Sequence, residues 1–157
     1  MKMTRILGST ALMLALAAGA GAAEDPMALL KASPRVVVLG DSITYGGDYV
    51  TDFACWLLSR GMTNEVLNLG LPSETATDLT AAENADHLQR HKFGRPLLSE
   101  RLERVLAGTK PDLVIACYGM NDGGSLPAGE AGTKRFMQAT ENLRAAAARH
   151  GAKAVIH

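Results

Sequence analysis

Hydrophobic residues fall into short continuous runs that alternate with longer amphipathic segments. The runs predict β-strands over residues 36–40, 65–69, 112–118 and 152–157. Apolar spacings of three and four predict helices over residues 49–60, 97–106 and 133–150. Strands that alternate with helices indicate parallel β-α-β units, and continuously apolar strands suit a sheet that is buried on both faces. The pattern therefore predicts an α/β fold with one parallel sheet.

The predicted helices each have an apolar face and an end signal. We expect glycines to end them and Thr133 to cap the last one. The side chains that we expect to face inward are Phe53, Trp56, Leu57, Leu98, Leu102, Val105, Leu106, Phe136, Met137, Thr140 and Leu143. Residues 71–96 are polar and less regular. They fit either a partly helical excursion over the site or a solvated surface connection.

Residues 1–23 are predicted to be a secretory signal peptide. Two basic residues precede an apolar run over residues 6–18, which small residues follow. A membrane-spanning helix needs about 20 apolar residues, so the short run favours a cleaved signal over an anchor. We expect cleavage after Ala22 or Ala23, and export to the periplasm or the medium. Residues 24–157 then form one domain.

Composition limits the partners of the exported chain. The leader holds two of the sixteen basic residues and no acidic one, which leaves 14 basic and 16 acidic side chains, a net charge of −2. This balance argues against nucleic acid or an anionic membrane surface as a partner. The oligomeric state is not indicated.

The two cysteines give no sign of metal or redox chemistry. Cys55 falls in a predicted helix and Cys117 in a predicted strand, and no Cys-x-x-Cys or Cys/His cluster occurs. We expect two buried free thiols, with a disulfide between them as the open alternative. No cofactor or metal is predicted.

Polar residues that suit acyl transfer follow three of the predicted strands. Ser42 offers a hydroxyl after the first strand, Gly70 a backbone N–H after the second, and Asn121 a side-chain amide after the third. Carboxyl ends of parallel strands meet at one edge, where open α/β sheets bind ligands. A serine nucleophile with its own N–H, Gly70 and Asn121 as oxyanion donors is one interpretation. Each segment alone also fits a simple turn.

The segments VVVLGDSITYGG, VLNLGLPSET and LVIACYGMNDGG resemble the first three blocks of the SGNH (GDSL-type) hydrolases. The resemblance implies a flavodoxin-like three-layer α/β/α sandwich, incomplete at its C-terminus. It implies that Ser42 is the nucleophile and that Ser42, Gly70 and Asn121 form the oxyanion hole. We interpret Asp41 and Asp122 as hydrogen-bond acceptors that shape the loops.

The family's general base, a histidine in an Asp-x-x-His motif, has no counterpart here. The four histidines are His87, His91, His150 and His157. His87 and His91, four residues apart, have the spacing of a metal pair without a supporting carboxylate motif, and His150 suits a helix C-terminus. We therefore expect the chain to be a fragment whose base lies beyond His157.

An exported serine esterase is the expected function, with a lean to O-acetyl groups on carbohydrates. A lipase or thioesterase of the same family is an alternative. Another is an inactive fragment or a relative that binds carbohydrate esters without cleaving them. A flavodoxin-like domain that binds a phosphate or nucleotide at the first helix N-terminus is the third.

Overall fold

The computed structural model describes residues 25–157, which form a four-stranded parallel sheet flanked by helices. The strands are β1 (Arg35–Gly40), β2 (Glu65–Gly70), β3 (Leu113–Cys117) and β4 (Ala154–Ile156). The helices are α1 (Pro26–Lys31), α2 (Ser42–Gly46), α3 (Asp48–Ser59), α4 (Ala81–His91), α5 (Leu102–Thr109), α6 (Met120–Ser125) and α7 (Glu130–Arg149). The predicted α/β class is confirmed. The predicted signal peptide lies outside the described residues.

Strand order determines where a ligand site can form. The order is β2-β1-β3-β4, so the chain moves outward from β1 to β2 and then crosses to the other side of β1. Gly40 of β1 is level with Gly70 of β2 and with Cys117 of β3. The crevice between the carboxyl ends of β1 and β3 is therefore the switch point of the sheet, the usual ligand position in such folds.

The sheet buries side chains on both faces because successive residues of a strand point to opposite sides. One face packs against α5 and α7 through a buried cluster of Val37, Leu39, Val114, Ala116, Leu102, Leu106, Leu143, Ala146 and Ala147. The other face packs against α1 and α3 through Val36, Leu113, Leu30, Leu57 and Met62. The helices and the sheet together form the expected three layers.

The prediction of one continuous helix over residues 97–106 is wrong. A 3-10 turn at Leu98–Glu100 is separated from α5 by Arg101, whose φ of −123° is not helical. At this break the Arg101 guanidinium binds the Glu74 carboxylate. The apolar face survives the break, because Leu98, Leu102 and Leu106 are buried.

Thr133 does not cap the long helix. Gly129 is the N-cap of α7, with a φ of +87°, and Thr133 lies one turn inside, where its hydroxyl donates to the Gly129 carbonyl. Met137 is 64% exposed instead of facing inward. The buried face of α7 continues through two small residues, Ala146 and Ala147. A search for the spacing of large apolar residues does not detect this part of the face.

Residues 71–96 contain a helix, α4. This agrees with the first of the two expected alternatives, a partly helical segment. Thr80 and Glu83 form a capping box at its start, because each side chain binds the backbone N–H of the other residue.

The expected burial of Cys55 is wrong, since this free thiol is exposed; Cys117 is also free and partly buried. Within residues 25–157, no helix has the length and apolarity to cross a membrane.

Candidate active site

Ser42 is the first residue of α2 and is separated from the end of β1 by Asp41 alone. Asp41 is the N-cap of this helix, and its carboxylate accepts the Ile43 N–H at 2.9 Å. Asp41 is 2% exposed, whereas Ser42 is exposed. A buried carboxylate thus fixes the start of a helix that presents the serine at the carboxyl edge of the sheet.

Two strand-end glycines let α2 lie close to the sheet. A Cβ on Gly40 would lie 2.8 Å from the Cys117 carbonyl oxygen, and a Cβ on Gly70 would lie 2.7 Å from the Thr44 carbonyl carbon. Both distances are too short for real atoms. Thr44 fills the space between the glycines, is fully buried, and shares a 2.7 Å hydrogen bond with the Tyr49 hydroxyl. The position of α2 therefore depends on both glycines.

The N–H of Gly70 is engaged in this structure. It donates to the Asn68 side-chain oxygen at 3.0 Å, and the Asn68 amide donates to the Thr44 carbonyl at 2.7 Å. Asn68 thus ties the end of β2 to α2. For Gly70 to hold an oxyanion, its N–H must exchange the Asn68 oxygen for the substrate oxygen.

The Asn121 amide lies beside the residue that precedes the serine. Its nitrogen donates to the Glu74 carbonyl oxygen at 3.0 Å and approaches the Asp41 carboxylate at 3.4 Å. The first contact has ordinary hydrogen-bond length and the second is longer than usual. One amide hydrogen is therefore held firmly, and the other is weakly engaged on the side of Ser42.

Asp122 fixes the loop that follows β2. Its carboxylate accepts the Thr77 N–H at 2.8 Å and the Ala76 N–H at 3.3 Å, and the residue is 1% exposed. Because Asn121 binds the Glu74 carbonyl of the same loop, the two adjacent residues of α6 join the ends of β2 and β3.

A buried ionic network, not indicated by the sequence motifs, supports this loop. Glu74 is fully buried, and its carboxylate binds Arg101 through two contacts, Nε at 2.6 Å and Nη2 at 2.7 Å. The Tyr118 hydroxyl donates to the same carboxylate at 2.6 Å. Burial raises the pKa of Tyr118 well above its usual range, and the Glu74 charge adds to this effect, so the phenol remains a donor.

Sequence reasoning missed Glu74 because a single acidic residue in a polar segment is normally exposed. The available signal was indirect. Arg101 interrupts an otherwise apolar helical face, and Tyr118 ends a buried strand, so each needed a polar partner.

Among the described residues, no hydrogen bond joins a histidine to Ser42. His87 and His91 stack with ring centroids 4.4 Å apart, and His150 ends α7 with its Nε2 atom 2.7 Å from Glu103. His157 follows β4, where burial lowers its pKa. Among residues 25–157, no group of three His, Cys, Asp or Glu side chains is placed to hold a metal ion.

A cavity of about 340 Å³ lies between α7, the start of α5 and residues 76–78. Asp78, Ser99 and Arg135 line its polar side. Ser42 does not line this cavity.

Comparisons with known proteins point to one family. The model of the GDSL-like lipase/acylhydrolase family matches residues 38–156. A crystal structure of TesA is 26% identical with a TM-score of 0.54, and the match covers 77% of this chain and 57% of TesA. No curated protein sequence gives a match.

Two further solved structures share the fold. The acetyl xylan esterase AlAXEase is 22% identical with a TM-score of 0.53, over 77% of this chain and 55% of that one. The psychrotrophic esterase EstA from Pseudoalteromonas sp. is 18% identical with a TM-score of 0.50, over 78% of this chain and 58% of EstA. The chain spans a little more than half the length of these three proteins.

Proposed function

Because the chain belongs to the GDSL-like lipase/acylhydrolase family, we propose that it is an ester hydrolase with Ser42 as its nucleophile. One observation carries the proposal. The exposed Ser42 begins α2 at the switch point of the sheet, and the Asn121 amide contacts the Asp41 carboxylate immediately before it. The proposed nucleophile and a neutral hydrogen-bond donor are therefore on neighbouring loops at the edge where such sheets bind ligands.

The proposed reaction forms an acyl-enzyme. The Ser42 oxygen attacks the acyl carbonyl carbon, the alcohol leaves, and water then releases the acid. The negative charge on the carbonyl oxygen is stabilised by donors fixed in advance. Asn121 suits this role because its bond to the Glu74 carbonyl orients the amide, while the 3.4 Å contact to Asp41 is easily exchanged. The N–H groups of Ser42 and Gly70 are the other proposed donors.

Serine needs a base to accept its proton. Of the four histidines, His150 binds Glu103, the His87 and His91 rings contact each other, and His157 follows β4. The proposal therefore assigns the nucleophile and the oxyanion donors to the described residues, and no general base among them. This assignment predicts slow but selective reaction of Ser42.

We propose O-acetyl groups on carbohydrates as the substrate class, with lipase or thioesterase activity as the alternative. Support for the acetyl ester comes from the predicted export of the chain. AlAXEase, which shares the fold, is an acetyl xylan esterase. Export itself is proposed from residues 1–23, and intact mass after secretion tests it by showing cleavage after Ala22 or Ala23.

Labelling with a fluorophosphonate tests the nucleophile, and EstA is a relative inhibited by monoethylphosphonate. We expect intact mass to show one adduct, and peptide mapping to place it on Ser42. Ser42→Ala should abolish the adduct. Ser59→Ala is the matched control, because Ser59 is exposed on α3 and bonds only the Trp56 carbonyl nearby.

Each outcome of the labelling bears on the proposal. Slow labelling confined to Ser42, together with hydrolysis of 4-nitrophenyl acetate that Ser42→Ala removes, supports it. Labelling that persists in Ser42→Ala, or no labelling of a folded chain, overturns it. The second result would favour the inactive, ester-binding relative.

A further inference from the structure

Buried polar atoms without partners concentrate near the loop that follows β2. Within residues 25–157 these atoms are Ser33 Oγ, Thr77 Oγ1, His87 Nε2 and Arg95 Nε. A buried polar group without a hydrogen bond costs free energy, so such atoms often mark a site that a ligand or water completes. Arg95 is the most informative because its guanidinium is charged at every physiological pH.

Arg95 lies next to the loop that holds the candidate oxyanion donor. Its Nη1 donates to the Ser73 carbonyl at 3.2 Å. The next carbonyl along the chain, that of Glu74, accepts from Asn121 at 3.0 Å. The Thr75 N–H donates to the Pro96 carbonyl, so the segments that contain Glu74 and Arg95 run side by side. Arg95 and Asn121 therefore bind consecutive carbonyl groups of the same loop.

The backbone of Ser73 is strained at this position. Ser73 has a φ of +68° in a turn closed by the Glu74 N–H and the Leu71 carbonyl, a conformation that favours glycine. This turn directs the Ser73 carbonyl to Arg95. The structure thus holds the guanidinium in place through a single neutral acceptor.

No carboxylate neutralises Arg95. Its guanidinium is absent from all ion pairs within 4.0 Å among the described residues. Asp122 and Asp41 act on it only at longer range, and both carboxylates already accept backbone N–H groups. Burial lowers the pKa of Arg95, as expected for a cation that has lost water without gaining an anion.

His87 adds a second open position. The residue is 7% exposed, and its Nε2 atom has no partner. Burial lowers the pKa of His87, and the positive charges of Arg95 and His91 add to this shift.

We propose that Arg95 binds an anionic group on the ester substrate. The proposal rests on the proposed ester hydrolysis and extends it beyond acetyl groups to esters whose acyl chain ends in a carboxylate or phosphate. A guanidinium matches the planar geometry of a carboxylate and can form two parallel hydrogen bonds with it. Binding would satisfy the Arg95 charge and would hold the acyl carbonyl toward Asn121.

A pair of matched esters tests the subsite. The 4-nitrophenyl esters of valeric and glutaric acid differ only in a terminal methyl or carboxylate group. We expect kcat/KM of the wild type to favour the glutarate ester, and Arg95→Gln to lower that preference by roughly 10- to 100-fold. Arg95→Lys, which keeps the charge, should retain part of it. Arg90→Gln is the matched control, because Arg90 is an exposed arginine nearby whose partner is Asp86.

Binding experiments separate this inference from the proposed catalysis. In the Ser42→Ala variant, glutarate should raise Tm, and glutaramide at the same ionic strength should not. Inorganic phosphate replaces glutarate in a third arm and distinguishes a phosphate site from a carboxylate site. If the wild type does not hydrolyse the esters but glutarate still raises the Tm of Ser42→Ala, only the proposed function is contradicted. Equal kcat/KM ratios in wild type and Arg95→Gln, or no Tm shift with either anion, would overturn the subsite.

Discussion

At the residue scale, the motif residues were predictable and their supports were not. Ser42, Gly70 and Asn121 follow strands that the apolar runs indicate, and the parallel topology brings them to one edge. The buried pair of Glu74 and Arg101 involves residues 27 positions apart, and local patterns carry no information on such a contact. The engagement of the Gly70 N–H by Asn68 likewise depends on tertiary geometry.

Asn121→Ala provides a test of oxyanion stabilisation. We expect kcat for 4-nitrophenyl acetate to fall by about 10²–10³-fold with little change in KM, because the amide acts on charge that develops in the transition state. Steady-state kinetics measure the effect. Asn142→Ala is the control, since Asn142 is exposed on α7 and accepts from Gln138. A rise in KM at constant kcat would instead indicate a role in ground-state binding.

At the element scale, α2 is the helix that carries the proposed nucleophile, Ser42. Five residues are too few for a stable isolated helix, so its position comes from Asp41 at its start and the two glycines beneath it. Sequence periodicity cannot detect such a short element. The same holds for α1 and α6, which have six residues each.

Gly40→Ala should displace α2. The added Cβ meets Thr44 and the Cys117 carbonyl, so we expect the free energy of unfolding to fall by about 1–3 kcal/mol and the Ser42 labelling rate to drop. Urea unfolding and labelling kinetics measure the two effects. In Gly108→Ala, where the Cβ meets nothing within 4 Å on α5, a gain of about 0.5 kcal/mol is expected. Wild-type labelling in Gly40→Ala would show that α2 tolerates the shift.

The contact between α4 and α7 should make stability depend on pH. The Arg135 hydrogen bond, with the Thr80 N–H, lowers the pKa of Glu83 from 4.5 to about 2. A carboxylate with a lowered pKa stabilises the fold above about pH 4.5, and this contribution is lost as pH falls toward 2. Glu83→Gln keeps the capping geometry but removes the charge. We expect its Tm to fall less steeply than that of the wild type between pH 5 and pH 3.

The matched control for this pH effect is Asp86→Asn. Asp86 lies on the same helix and its side chain is 82% exposed in a pair with Arg90, which contributes little to stability. The control should keep the wild-type slope of Tm against pH. A wild-type slope in Glu83→Gln as well would show that the contact with Arg135 does not persist in solution.

At the scale of the whole molecule, the sheet connects two separate apolar clusters. Alternation along β1 sends Val37 and Leu39 to the α5 and α7 side, and Val36 to the α1 and α3 side. The class of fold followed from this alternation of strands and helices. The partition into two clusters did not, because it depends on which helix covers which face.

This arrangement predicts that both faces unfold together. Trp56, the single tryptophan, lies on α3 and stacks on Phe53, which packs against the α1 and α3 cluster, whereas far-UV circular dichroism reports on all helices. We expect the two signals to give one urea midpoint. Leu106→Ala removes a fully buried side chain from the opposite face and should cost about 2–5 kcal/mol. The fluorescence and dichroism midpoints of this variant should fall by the same amount, because the shared strands couple the stability of the two faces. A fluorescence midpoint that stays at the wild-type value while the dichroism midpoint falls would show that the α1 and α3 side is a separate folding unit.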